Sequence, residues 1–150
     1  MNTIDKFKDE YEFLSNFYPS SICYEGITYP TVEHAFQAAK TLDPTERQKI
    51  ANLSTPAKAK AAGRKVQLRE GWNEIRTTIM REIIEIKFTN PELMTLLQNT
   101  GDATLIEGNT WNDTFWGVCR GKGHNWLGKI LMETREKINP CRQPATYNPQ

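Results

Sequence analysis

Three times the chain sets a capping side chain directly before a proline: Asp43-Pro44, Thr55-Pro56 and Asn90-Pro91. A short polar oxygen can accept the free N–H groups of a helix's first turn, and proline in that turn gives up no hydrogen bond. Each pair therefore predicts a helix start, and Glu46, three residues after Asp43, strengthens the first. Gly63 closes the second of these helices, and Thr100-Gly101 closes the third, which runs through Leu93, Leu96 and Leu97. So punctuated, the chain must build its core from several short helices.

The remaining periodicities fill in the frame. Thr31 precedes VEHAFQAAKTL, where Val32, Ala35, Phe36, Ala39 and Leu42 form an apolar stripe at helical spacing. The longest predicted helix, Trp72 to Phe88, turns Ile75, Ile79, Ile83 and Ile86 to one side and forms the central core element. Asn125 caps a final helix whose Leu127, Ile130, Leu131, Thr134 and Ile138 face inward. Phe13 to Pro30 reads as a small hairpin turning at Tyr24-Glu25-Gly26-Ile27, and Thr104 to Glu107 as a short strand. The expected fold is mainly α with a few short β-strands, one compact domain over 1–139 followed by an unstructured, proline-rich tail at 140–150.

Charge narrows the function. Nineteen Lys and Arg oppose 18 Asp and Glu, a net of +1, so no long-range basic field draws the chain to nucleic acid or membrane. Charges interrupt every apolar stretch before the about 20 residues a membrane span needs. Cys23, Cys119 and Cys141 are odd in number and scattered, and MNTIDKFKDEYEF lacks the apolar run of a signal peptide, which points to the cytoplasm. Two dispersed His and three Cys argue against a zinc site, and no cofactor is expected.

Three constellations could carry chemistry. Glu33, Gln37 and Lys40 lie within about 60° of one another around a helix axis. Spacing alone reads them as a solvent-facing stripe, while small neighbours Ala38 and Ala39, with His34 alongside, leave a pocket wall open. In IEGNTWNDTFWG, Glu107 and Asp113 sit among Trp111, Phe115 and Trp116. Apolar walls raise carboxylate pKa values towards neutrality, and aromatic faces stack on flat rings; the other reading is a packed Trp cluster with surface acids. GKGHNWLGK holds G-x-x-x-x-G-K from Gly123 to Lys129, but Ile130 stands where a triphosphate loop needs Ser or Thr. The amides at that helix start, with Lys122 and Lys129, could still hold a phosphate. Lys58, Lys60, Arg64, Lys65 and Arg69 read as a solvated basic face, with phosphate contact the minority reading. Cys119 and His124 lack the third group that would orient a nucleophile pair.

FLSNFYP at 13–19, YPTVEHAFQAAK at 29–40, AKAKAAGR at 57–64, LIEGNTWNDTFWG and GKGHNWLGKILMETRE together resemble the YbiA-like, or NADAR, family, from Phe13 to Ile138 and in order. The resemblance implies a mainly helical N-glycosidase that cleaves the bond between a ribosyl C1 and a nitrogenous group. Its substrates would be ribosylamino-pyrimidine phosphates of riboflavin synthesis, or ADP-ribose on a base, notably guanine in nucleic acid; no metal or membrane is implied. Glu33, in the family's EH dipeptide, and Asp113, in its D-x-[FY]-W-G, become the candidate acid and stabiliser, in either order, and Lys40 a candidate nucleophile at C1. Trp72 and Trp116 would stack on base or sugar; Asn16, Glu107 and Asn125 would hydrogen-bond the ribose or fix the catalytic groups; His34 and Gln37 would belong to the pocket. Arg64, Lys122 and Lys129 are the phosphate candidates. The bulkier Val118-Cys119-Arg120 departs from the family pattern and bears on pocket shape. The rival is a module that binds ADP-ribose or a related nucleotide without turning it over.

Overall fold

The three cap-proline pairs do what their chemistry requires. In the computed structural model, which describes residues 2–138, Asp43 accepts from Thr45 N, Thr55 from Lys58 N, and Asn90 from both Glu92 N and Leu93 N. They start α2 (Pro44–Ala51), α3 (Pro56–Gly63) and α5 (Pro91–Gln98). Thr31 caps α1 (Val32–Ala38) by accepting from His34 N at 3.1 Å. With α4 (Trp72–Lys87) and α6 (Trp126–Ile138) these make six α-helices among the described residues, beside one 3-10 helix at Asp9–Leu14.

Strand structure is slight. β1 (Thr3–Ile4) runs parallel to β4 (Thr104–Leu105), β2 (Pro19–Tyr24) pairs antiparallel with β3 (Ile27–Thr31), and β5 (Gly108–Asn109) lies parallel to β6 (Val118–Cys119). The hairpin turns at Glu25 and Gly26, both with positive φ as a two-residue primed turn demands. It is shorter than its sequence suggests: Phe13 and Leu14 belong to the 3-10 helix, where they are buried against the core.

α1 lies at the centre, with every residue buried and α2, α3, α4 and β3 packed around it. α4 supplies Ile79, Met80, Ile83 and Ile84 to the core, and α6 adds Leu127, Ile130 and Leu131. Burial of these side chains from water supplies the main drive for assembly. The α1 stripe is cut short, because the helix ends at Ala38 and Leu42 is 65% exposed. Lys87 is the unexpected core member: 1% exposed, it donates from Nζ to Ser15 O at 2.9 Å. No described helix is long and apolar enough to cross a membrane. The tail at 140–150 lies outside the described residues.

Candidate active site

Along α1, Glu33 and Gln37 face a cavity of about 890 Å³ rather than solvent, and are 8% and 5% exposed. Gln37 Nε2 donates to Glu33 Oε2 at 2.6 Å. Burial pushes the Glu33 carboxyl up from its ordinary value, against the pull of this hydrogen bond and of the Lys60 and Lys40 charges. Gly63 of α3 makes the arrangement possible: a Cβ there would collide with the Gln37 amide. Lys40 sits in the turn after α1, its carbonyl accepting from Arg69 N at 2.8 Å. Its amine has no hydrogen bond or ion pair among the described residues; the ion pairs join Arg47–Glu25, Lys49–Glu46, Arg81–Glu133 and Lys137–Glu85, outside the cavity. Burial lowers the Lys40 pKa, opposed by Glu33 and aided by Arg64, Lys60 and Arg76.

The Gly- and Trp-rich stretch forms the facing wall. Asp113 Oδ1 accepts from Phe115 N at 3.1 Å and Trp116 N at 2.9 Å, which locks the loop. Asn109 bridges the acids, accepting from Asp113 N and donating to Glu107 Oε2, each at 3.0 Å. Glu107 is pushed up to about 7, chiefly by burial, with Asn109 opposing and Asp113 adding. The glycines here are where backbone meets backbone: a Cβ on Gly117 would strike the Glu107 carbonyl and carboxylate. Trp116 lines the cavity, edge-on to Phe36 at 5.2 Å and to Phe115 at 4.8 Å between ring centroids.

The cavity thus brings together Asn16, Glu33, Gln37 and Lys40 with Glu107, Asp113 and Trp116. Four other candidates lie outside its lining. His34 is 1% exposed; Leu53 O can only accept, at 3.0 Å from Nε2, so that nitrogen carries the proton and Nδ1 accepts from the Thr31 hydroxyl at 2.7 Å. Trp72 is buried behind Phe36, 5.2 Å between centroids. Asn125 does not cap α6 with its side chain; its φ is 54°, and Oδ1 accepts from Glu107 N while Nδ2 donates to Leu105 O, tying the start of α6 to the 105–107 segment. Lys129 is exposed, with Nζ 5.0 Å from the Trp126 ring centroid.

The phosphate reading of the α6 start is corrected in the same way. His124, Asn125, Trp126 and Leu127 N–H groups are all taken by carbonyls of Thr114, Gly117, Phe115 and Trp116, so these amides are spent inside the fold. Lys122 is exposed and outside the cavity lining. The basic face of α3 is not wholly solvated either, since Lys60 and Arg64 line the cavity. Arg76 is the residue that sequence reasoning passed over. It shares the i, i+4, i+8 row of α4 with Trp72 and Met80, both buried, and a charge in an apolar row was the available signal.

Fold and site define a small α-rich enzyme domain whose cavity holds a buried carboxyl, an amine in no ion pair among the described residues and two further acids. Residues 4–139 match the NADAR domain model, and the chain belongs to that family and, with it, to the N-glycosidases, hydrolases acting on N-glycosyl compounds. It is 42% identical over 134 residues to N-glycosidase YbiA of Escherichia coli (strain K12), covering 87% of this chain and 83% of that protein. It is 38% identical over 144 residues to riboflavin biosynthesis protein VVA0006 of Vibrio vulnificus, covering 93% of this chain and 38% of that longer one. The NMR structure of the E. coli protein YbiA superposes with a TM-score of 0.83 at 36% identity, over 99% of this chain and 92% of the other.

Proposed function

We propose that this protein hydrolyses the bond between the ribosyl C1 and the amine nitrogen of a phosphorylated ribosylamino-pyrimidine, an intermediate of riboflavin synthesis. One observation carries the reading: Glu33, Lys40 and Asp113 line a single cavity, the first with its carboxyl pushed up from its ordinary pKa by burial and the second in no ion pair among the described residues. The names of the E. coli and Vibrio relatives support the bond type and the substrate class.

The chemistry follows from what each group can do. Protonated Glu33 gives its proton to the departing nitrogen, which keeps the electron pair of the C1–N bond. Positive charge left on C1 and the ring oxygen is stabilised by the Asp113 carboxylate, held in place by two backbone N–H groups. The neutral Lys40 amine adds to C1 and returns a proton to Glu33. The C1–O ring bond then opens, the ring oxygen takes a proton, and C1 is left as a Schiff base on Nζ. Water adds to C1, the C1–Nζ bond breaks, and one water has been consumed in releasing free base and ribose phosphate.

ADP-ribose on guanine is the second substrate this reading admits, because Trp111 and Phe17, 53% and 41% exposed, offer aromatic faces on the cavity lining for a larger base. At +1 the protein has little sequence-independent hold on DNA, so such a substrate would be gripped at the modified base. A purely binding role is disfavoured, since a binder gains nothing from carboxylates in the same cavity as an anionic ligand. Incubation with a ribosylamino-pyrimidine phosphate and with ADP-ribosylated guanine DNA tests the proposal by the release of free base or free ADP-ribose. Release from the pyrimidine substrate is expected; binding of ADP-ribose with no base lost from either would leave the binding module.

A further inference from the structure

The cavity is lined by five basic and three acidic side chains, in a protein whose overall balance is +1. None of the eight is ion-paired to another among the described residues. The excess remains with Lys40 neutral, since Lys8, Lys60, Arg64 and Arg76 still outnumber the three acids and burial pushes Glu107 up to about 7 and Glu33 the same way. The lining therefore carries an excess of positive charge.

Arg76 is the most deliberately placed of these cations. Its Cζ lies 3.6 Å from the centroid of the Phe115 ring, so the guanidinium stacks on an aromatic that belongs to the Asp113 loop. Its Nε is buried without a partner, and no described side chain or carbonyl accepts from it. A planar cation held by its face keeps its edge donors free, and that fork matches the oxygens of a phosphate. Lys60 joins it on the lining, with Nζ 5.7 Å from the Trp111 ring centroid, and exposed Arg64 adds a third charge. Arg76 and Lys40 line the same cavity.

We infer that Arg76 is a specificity-determining residue: from its stack on Phe115 it receives the phosphate of the substrate in a forked pair of charge-assisted hydrogen bonds, with Lys60 and Arg64 neutralising the second negative charge. This rests on the proposed ribosyl site, and it adds the group that selects phosphorylated over unphosphorylated ligands. A phosphate monoester on ribose and the diphosphate of ADP-ribose present the same chemistry to this fork.

The test titrates the wild-type protein, R76Q and R76K with ribose 5-phosphate, ribose and ADP-ribose by calorimetry, after far-ultraviolet circular dichroism confirms the fold. Wild type binds at least one phosphorylated ligand and not ribose, R76Q weakens that ligand at least about tenfold, and R76K, which keeps charge but loses the fork, falls between. Loss confined to ribose 5-phosphate assigns the contact to the monoester; loss confined to ADP-ribose assigns it to the diphosphate. In turnover, the wild-type preference for a ribosylamino-pyrimidine 5′-phosphate over its 5′-hydroxyl counterpart shrinks at least about tenfold in R76Q, through KM. Wild-type affinity for phosphorylated ligands in R76Q, or equal binding of ribose and ribose 5-phosphate by the wild type, overturns the inference. If wild type cleaves neither glycoside the N-glycosidase substrate reading falls, while the calorimetric arm still decides Arg76.

Discussion

Gln37 donates to Glu33 across 2.6 Å, one turn apart on the wall of the cavity. This bond stabilises the carboxylate, while burial of Glu33 favours its acid form. Replacing Gln37 by Leu removes the stabilising donor, so the Glu33 pKa rises and the acid survives to higher pH. The alkaline limb of the kcat profile is therefore expected to move upward in pH. A limb that stays in place or moves down would separate that titration from Glu33.

Glu33→Gln keeps volume and removes the transferable proton. Turnover is expected to fall by about 10² to 10⁴, with affinity for the released sugar phosphate within a few-fold of wild type. Single-turnover kinetics beside calorimetry measures both. A rate within a few-fold of wild type would return Glu33 to a structural role.

Gly63→Ala places a methyl group against the Gln37 amide, where α3 closes on α1. Alanine suits a helix better than glycine, yet overpacking at such a contact costs about 1–3 kcal/mol. Lower stability in urea is expected together with lower kcat, because the displaced amide no longer holds Glu33. A more stable variant with wild-type turnover would show that the contact relaxes freely.

The half-buried Glu107 and the buried Lys87 give stability an unusual dependence on pH. Glu107 titrates at about 7 in the fold against 4.5 ordinarily, so its contribution is present below 4.5 and is lost as pH rises to 7. Burial lowers Lys87 to about 7 from 10.5, so its contribution is present above 10.5 and is lost as pH falls to 7. Glu33 adds to the acidic limb and Lys40 to the alkaline one. Urea midpoints of the ligand-free protein should pass through a minimum near neutrality. Glu107→Gln should flatten the acidic limb and Lys87→Met the alkaline one; a maximum at pH 7 would contradict both assignments.

What could be read from the chain followed the range of the forces involved. Asp43, Thr55 and Asn90 act within one turn, so the starts of their helices were legible to the residue. The Glu33, Gln37 and Lys40 spacing was legible as a stripe, but which way it faced depends on Gly63 and on a loop some 70 residues further on. Arg76 escaped notice because its partner ring, Phe115, lies on another element, and Lys60 and Arg64 passed for a solvated face for the same reason. Asn125 has the composition of a cap, yet its side chain joins Leu105 and Glu107, a choice no local rule contains. Nothing local marks Lys87 for burial either: the acceptor that gives its amine an interior partner is Ser15 O, on a distant part of the chain.

The central claim is that the Lys40 amine bonds to the ribosyl carbon while the cavity's acid releases the base. Borohydride added during turnover of a ribosylamino-pyrimidine phosphate should reduce the Schiff base, and peptide mass analysis should find the sugar phosphate on Lys40. Lys40→Met should abolish the adduct and most of the turnover. Full base release by the wild type with no adduct, joined to near-normal turnover by Lys40→Met, would contradict the account.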